Sequence, residues 1–305
     1  MQRMQPTVAV IIPCHNAARY VEDTLDSVLA QTLPPQVVVV DDGSTDETAT
    51  ILRRYADRIH ILRHEGGSNR GAAESRNLGI AATTSPYLAF LDADDLWHPG
   101  KLALEAQVLD EHPEVGVVVS GCRAIDARDE YLYDFPPFPS LSDHDLPAAL
   151  LLDCFIQTPG QVLIRRSVLE TVGVFDPELT AAEDHDLWVR LAERTRFMFL
   201  TARTVTYRKH SASLSNAGAA RMWHSGFALL AKAERRRNYG TTAIRRLAVL
   251  HYRLAQCAWR EGAYVRFVVG TLRACLLDPR RAWLLLTGRA PEPREAPADG
   301  AASSR

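Results

Sequence analysis

Residues 37–48 read VVVVDDGSTDET. Four valines in succession, Val37–Val40, have the β-branched and wholly apolar character of a strand covered on both faces. The run stops at two carboxylates, Asp41 and Asp42, and at Gly43. Ser44-Thr45-Asp46-Glu47 then has the Ser-x-x-Glu spacing of a capping box, which predicts a helix through Tyr55. The pattern recurs in both directions. Upstream, Val8–Ile12 reads as a strand, and Val21, Leu25, Val28 and Leu29 follow at helical spacing. Downstream come a strand at Ile59–Leu62, a helix at Ala72–Ala82, a strand at Tyr87–Leu91, a helix at Lys101–Glu111 and a strand at Val115–Ser120. Repeated βα units predict an α/β fold, a mostly parallel sheet flanked by helices. Ligands of such sheets sit beyond the C-terminal strand ends.

Farther along, Arg128–Pro147 is rich in Pro, Asp and Ser and predicts a long surface excursion. Gln161–Ile164 and a short run near Thr204–Tyr207 read as strands, and Asp184–Thr195 as a helix with Leu187, Trp188 and Leu191 on its apolar face. From about Gly218 the pattern is helical, through Phe227–Arg237, Ala243–Arg260 and Tyr264–Leu277. The expected domains are 1–216 as the α/β part that carries the strand-end acids, 217–289 as a basic helical appendage, and 290–305 as a disordered tail. Between Arg221 and Arg289 there are 14 Lys/Arg and 3 Asp/Glu, so an otherwise acidic chain carries a basic C-terminal segment. In that segment Val265, Val268, Val269, Leu272 and Leu276 share a helix with Arg266 and Arg273, and Trp283–Leu286 follow Arg280 and Arg281. Arginines beside an apolar face suit peripheral contact with an anionic membrane. The other reading is that these faces pack on protein.

A net charge of −2 over 305 residues points to no nucleic-acid partner, and 47% apolar with 24% charged residues is ordinary for a soluble enzyme. Cys14, Cys122, Cys154, Cys257 and Cys275 are dispersed and odd in number, which argues against a disulfide framework or a structural zinc site. The early apolar run ends at Pro13, too soon for a signal peptide, and no apolar stretch reaches spanning length. The expected location is cytoplasmic, or peripheral on the inner face of the membrane.

Three strands end in small polar or acidic residues: Pro13-Cys14-His15-Asn16, Asp41-Asp42-Gly43-Ser44 and Asp92-Ala93-Asp94-Asp95. One strand-end Asp is ordinarily a turn former. Five carboxylates directed to one edge repel one another and call for a cation or donor groups. Asp92-Ala93-Asp94 suits Mg2+ or Mn2+ bound to a substrate diphosphate, since Mg2+ often takes only one or two protein carboxylates. Glu183-Asp184 opens a helix, where the N-terminus favours the ionised carboxylate.

With these elements in place the chain resembles the family 2 glycosyltransferases of GT-A fold. The resemblance is carried by VAVIIPCHNAARYVEDTLDSVLAQT, VVVVDDGSTDET, GAAESRNLGIAATTSPYLAFLDADDLW, TPGQVLIRRSVLETVGVFD, EDHDLWVRLA and YRKHSASLS, in that order across roughly residues 6–216. It implies an inverting transferase that moves a sugar from a nucleotide-diphosphate sugar, with UDP-sugars favoured, to a saccharide or lipid-linked saccharide hydroxyl. Carried over by position, Pro13 and His15 line the base pocket, Asp42 bonds the base with Asp41 beside it, and Asp92 holds the ribose. His15 stands where the family often has Tyr or Phe, which weakens stacking. Asp94 binds the metal, His210 approaches the metal or diphosphate with Arg208 and Lys209 beside it, and Arg76-Asn77 faces the donor. Asp184 is the general base and Glu183 its neighbour on the acceptor side.

Competing readings lack their signatures. No G-x-G-x-x-G follows the first strand and no Gly-rich Lys-Ser/Thr loop occurs, which sets aside a dehydrogenase and a P-loop kinase. A nucleotidyltransferase does not predict Glu183-Asp184. A non-catalytic nucleotide-sugar or glycan-binding module of the same fold is the remaining alternative, and it has no need of Asp92, Asp94 and Asp184 together.

Overall fold

The computed structural model describes residues 7–210 and 219–280. Ser211–Ser215 of the last motif, Trp283–Leu286 and the expected tail at 290–305 lie outside them. Nine strands form one sheet: β1 (Val8–Cys14), β2 (Gln36–Asp41), β3 (His60–Arg63), β4 (Tyr87–Phe90), β5 (Leu96–Trp97), β6 (Val115–Ile125), β7 (Tyr131–Asp134), β8 (Val162–Arg165) and β9 (Arg196–Arg208). Their order is β3-β2-β1-β4-β8-β6-β9-β5, with β7 paired to β6. The helices are α1 (Val21–Leu29), α2 (Thr48–Arg53), α3 (Ala72–Ala81), α4 (Lys101–Glu111), α5 (Leu146–Leu152), α6 (Arg166–Val172), α7 (Glu183–Ala192), α8 (Ala219–Arg236), α9 (Thr241–Arg260) and α10 (Tyr264–Leu277).

The predicted α/β architecture is present. The parallel half is β3-β2-β1-β4, and β8 enters antiparallel to both β4 and β6. Val8–Ile12, Val37–Val40 and Leu88–Leu91 are buried, as strands covered on both faces must be. Leu25 and Val28 of α1 and Leu102 and Leu109 of α4 close over the sheet in the same core. On α3, Gly79 stands so near β1 that an added Cβ would meet Ile11 Cγ2 at 2.4 Å. Beneath the sheet's edge Lys101 and Glu105 form a fully buried ion pair at 2.6 Å. Burial lowers the lysine pKa and raises that of the glutamate.

Three expectations change. The capping box does not form: α2 starts at Thr48, and Asp46 instead accepts the backbone N–H of Thr48 and of Ala18. That choice ties the β2–α2 loop to the β1–α1 loop, a bond across 28 residues that no local pattern encodes. The excursion at 128–147 contains β7, which extends the sheet by pairing with β6. The strand expected near Thr204–Tyr207 is the end of a 13-residue strand, β9.

The chain divides into two compact units between Ala243 and Ile244. The appendage was expected to begin at 217, yet α8 belongs with the first unit. Polar contacts hold it there: Lys232 reaches Glu178 at 2.7 Å and also Asp176, Arg236 reaches Glu193 at 3.0 Å, and Tyr239 donates to Glu193 at 2.6 Å. In the second unit, α10 packs on α9 through Phe267, whose ring lies 5.0 Å from that of Trp259, and through Gly270 against Ala255. No helix among the described residues is long and apolar enough to cross a membrane.

Candidate active site

Parallel register brings the acidic strand ends to one edge. Cys14 pairs with Asp41 and Ile11 with Phe90, so the chains leaving β1, β2 and β4 emerge side by side. At β2, Asp41 accepts Arg63 Nη2 at 2.6 Å, Arg63 Nε at 3.0 Å and the N–H of Ser44 at 3.1 Å. Asp42 accepts the N–H of Arg70 at 2.7 Å on one oxygen and that of Gly71 at 2.8 Å on the other. Its protein partners therefore fix the 64–71 loop, and a nucleobase could reach only its remaining lone pairs. Gly43 makes this turn at φ +70°, where a Cβ would lie 2.7 Å from the Gly67 carbonyl. Beside it His15 is exposed, donating from Nδ1 to the Asp42 carbonyl at 2.8 Å, while its Nε2 accepts from Asn16 at 3.2 Å. Pro13 is half-buried opposite Val40. The structure thus gathers Pro13, His15, Asp41 and Asp42 at one strand edge.

The second cluster centres on Arg76 of α3. Its buried guanidinium donates to Asp92 at 2.8 Å and to Glu183, 107 residues farther along the chain, at 2.7 Å, which joins the end of β4 to the start of α7. Burial works against the charge on Arg76, but Asp92, Glu183 and Asp184 together outweigh it and hold the group protonated. Three carboxylates share this one arginine. Asp92 keeps a third of its side chain exposed, yet desolvation by the protein around it, with Asp94 and Glu183 added, raises its pKa against the pull of Arg76.

Asp184 is the acid left over. Its Oδ1 accepts the N–H of His185 at 2.7 Å, and it has no ion pair among the described residues. Desolvation in the cleft, then repulsion from Glu183, pushes its pKa up to about 7. This reverses the expectation that the N-terminus of α7 favours the ionised form. A helix terminus is worth ~0.3–1 kcal/mol at the surface, and loss of water around the carboxylate is larger. The first residue before α7, Ala182, holds φ +67° and ψ +24°, a left-handed conformation costly for alanine. Behind the helix, His185 Nε2 bonds the Leu150 carbonyl at 2.7 Å and fixes α7 on α5.

The third group is Asp94 with His210. Because Leu96 of β5 pairs with Thr206 of β9, the segment after β4 runs beside the end of β9. Asp94 Oδ2 and His210 Nε2 lie 2.9 Å apart, across 116 residues of sequence. His210 also stacks on Tyr20 at 4.8 Å. Among the described residues no three His, Cys, Asp or Glu side chains are grouped to hold a metal. Two donors still suit an ion carried mainly by a diphosphate. An octahedral ion with arms of ~2.0–2.1 Å spans about 3 Å between adjacent ligands, close to the Asp94–His210 separation. The Asp94 carboxylate suits Mg2+ and Mn2+, while the His210 imidazole is a donor more typical of transition metals, which favours Mn2+ over Mg2+.

Several residues that the sequence marked act here in other ways. Asn77, expected beside Arg76 at the donor, instead pairs with the Phe175 backbone, donating to its carbonyl at 2.8 Å and accepting its N–H at 3.0 Å. That clamp holds the segment leading to Glu183. Asp95 is fully buried and accepts Thr158 Oγ1 at 2.7 Å and the Arg208 N–H at 3.0 Å. Burial, then Asp94 and Asp92, raises its pKa well above the carboxylate range. Arg208 is buried too, donating to the Asp94 carbonyl at 3.0 Å and lying over the Tyr20 ring at 4.6 Å. Lys209 lies over the Tyr133 ring at 5.2 Å. The YRKH run signalled positive charge, but not that the arginine would brace the Asp94 loop from inside.

The chain is similar to several known proteins. The family model for Glycosyl transferase family 2 matches residues 9–173, more than half of the chain. An uncharacterized glycosyltransferase of Rickettsia prowazekii is 33% identical over 216 residues, covering 69% of this chain and 66% of that protein. The match thus spans just under two thirds of that relative's length. The S. aureus TarS 1–349 structure in complex with UDP-GlcNAc superposes with TM-score 0.62 at 17% identity, covering 90% of this chain and 91% of that one. Mannosyltransferase PcManGT from Pyrobaculum calidifontis, in complex with GDP-Man and Mn2+, gives TM-score 0.60 at 23% identity over 94% of this chain and 80% of its own. The two structures share the GT-A type of fold that the resemblance implied.

Proposed function

The chain belongs to glycosyl transferase family 2, and from that premise we propose that it transfers a sugar, with inversion, from a nucleoside-diphosphate sugar to an acceptor hydroxyl. The observation that carries the reading is the division of labour at the start of α7: Glu183 is tied to Arg76, while Asp184 has no ion pair among the described residues, and desolvation with the nearby Glu183 pushes its pKa up. A base of that kind holds a proton weakly enough to return it and strongly enough to take it. Asp184 removes the acceptor hydroxyl proton as that oxygen attacks the anomeric carbon; the C–O bond to the diphosphate breaks on the opposite face, and no covalent enzyme intermediate is needed. Arg76 orients Glu183 and Asp92 together, so the acceptor side and the donor side keep one spacing. Pro13, His15, Asp41 and Asp42 take the nucleotide base, and Asp92 the ribose. Asp94 and His210 would hold the divalent ion, Mg2+ or Mn2+, which supplies charge stabilisation to the departing diphosphate. The acceptor class proposed is a saccharide or lipid-linked saccharide.

UDP-GlcNAc and GDP-Man, bound in the two fold neighbours, are the first donors to test. Purified protein is assayed for donor turnover and transfer with Mn2+ present, and the product's anomeric configuration is read by NMR. Asp184→Asn keeps donor binding and loses roughly 10²–10⁴ of the transfer rate. A dead Glu183→Gln beside an active Asp184→Asn would exchange the two roles. A product with retained configuration would overturn the single-base mechanism, and donor binding without turnover of any donor in the panel would favour the non-catalytic module.

A further inference from the structure

The second unit carries a surface that its own packing does not use. In α10 one side meets α9: Gly270 lies against Ala255 and the His251 backbone, Phe267 stacks near Trp259, and Ala274 is buried. The other side carries Val265, Val268, Val269, Leu272 and Leu276, spaced by three and four residues. All five are exposed, from 43% at Val269 to 82% at Leu276. Trp259 and Tyr264 stand at its N-terminal end, both more than half exposed, with their rings 5.3 Å apart. An aliphatic stripe of this length on the outside of a helix marks an interaction surface.

Charge indicates what covers it. Residues 244–280 hold seven arginines and only two acids, Glu261 and Asp278. Arg266 and Arg273, seven residues apart, run along one flank of the stripe; Arg266 is largely exposed, with Glu261 at 3.6 Å. A second copy of this face, paired antiparallel about a twofold axis, would line the arginines of both chains along one edge. An anionic lipid surface instead meets the arginines with phosphates and the stripe with acyl chains, and it places Trp259 and Tyr264 at headgroup depth, where such rings concentrate.

We propose that the exposed face of α10, with Arg266 and Arg273 at its flank, is a peripheral membrane-binding surface that takes an anionic bilayer. The helix lies in the plane of the interface, and binding is reversible and sensitive to salt. The proposal does not depend on which donor or acceptor the first unit uses.

The full chain is sedimented with phosphatidylcholine vesicles, with and without phosphatidylglycerol, at low and high salt. The expected result is pelleting with the anionic vesicles only, falling as salt rises. Val268→Asp/Leu272→Asp abolishes it. Arg266→Gln/Arg273→Gln lowers the partition coefficient roughly thirtyfold, from the usual contribution of a basic residue near an acidic surface. These side chains are exposed, so circular dichroism of the variants should match the parent. Absence of pelleting at low salt, equal pelleting on neutral vesicles, or undiminished binding by both variants overturns the proposal. So does sedimentation-velocity self-association that Val268→Asp/Leu272→Asp removes while vesicle binding is absent, because a second copy then covers the face.

Discussion

The carboxylates at the end of β2 and those around Arg76 answer the same problem of crowded negative charge in opposite ways. Asp41 has Arg63 and the Ser44 amide, and Asp42 has two backbone amides, so each acid at β2 is matched by its own donors. Around Arg76 three acids share one cation, and the surplus falls on Asp184. A matched acid builds structure, here the loop at 64–71. An unmatched acid in a desolvated cleft costs stability and gains a proton affinity near that of the solution, which is what a base requires. The comparison predicts that substitutions at β2 act on folding and donor affinity, and substitutions around Arg76 chiefly on turnover.

The largest effect is expected at Asp94. Asp94→Asn, or excess chelator on the unmodified chain, should abolish transfer while the thermal unfolding midpoint changes little, since among the described residues the Asp94 side chain bonds only His210. Full activity in chelator removes the ion from the mechanism. Next comes pH. Below about pH 7 the transfer rate should fall roughly tenfold per unit as Asp184 takes up its proton. The same group has a folded pKa raised above its unfolded value, so its stabilising contribution is complete below the unfolded pKa and lost as pH rises through about 7. Asp184→Asn should therefore unfold at a higher temperature than the parent near pH 8, with the advantage gone near pH 4. An Asp184→Asn variant less stable than the parent at the higher pH would break the comparison.

Smaller and opposite in kind is Asp42→Asn. It leaves one of the two amides at Arg70 and Gly71 facing an NH2 group, and denaturant titration should show a loss of about 1–3 kcal/mol. If turnover falls with no loss of stability, Asp42 belongs with the cleft acids instead. The least effect is expected from Arg63→Gln. That arginine is about half exposed, so its pair with Asp41 should be worth under about 1 kcal/mol and shrink further in salt.

Much of this molecule is readable from residue patterns. The apolar runs at 8–12, 37–40 and 87–91 show buried strands, because a strand covered on both faces favours consecutive β-branched or bulky apolar residues. Their acidic endings then mark the edge where a ligand binds. Less was readable where a side chain chose between local and distant partners. Ser44-Thr45-Asp46-Glu47 has a capping box's spelling, but Asp46 bonds Ala18 instead. Asn77 looks like a ligand residue and clamps the Phe175 backbone. The basic C-terminal segment was legible as amphipathic, while the place where its packing begins was not: α8 joins the first unit through Lys232, Arg236 and Tyr239.

By itself the sequence determined the βα order, the acids at the strand ends and the acidic start of α7, since each follows from local periodicity and from chain direction in a parallel sheet. Only the tertiary structure decided which acid is neutralised and which is left over. Arg76 meets Asp92 and Glu183, and Asp94 meets His210, because sheet register brings together segments that lie up to 116 residues apart. A pKa near 7 at Asp184 follows from that allocation, for desolvation and charge repulsion are set by what surrounds a group in space and not by its neighbours along the chain.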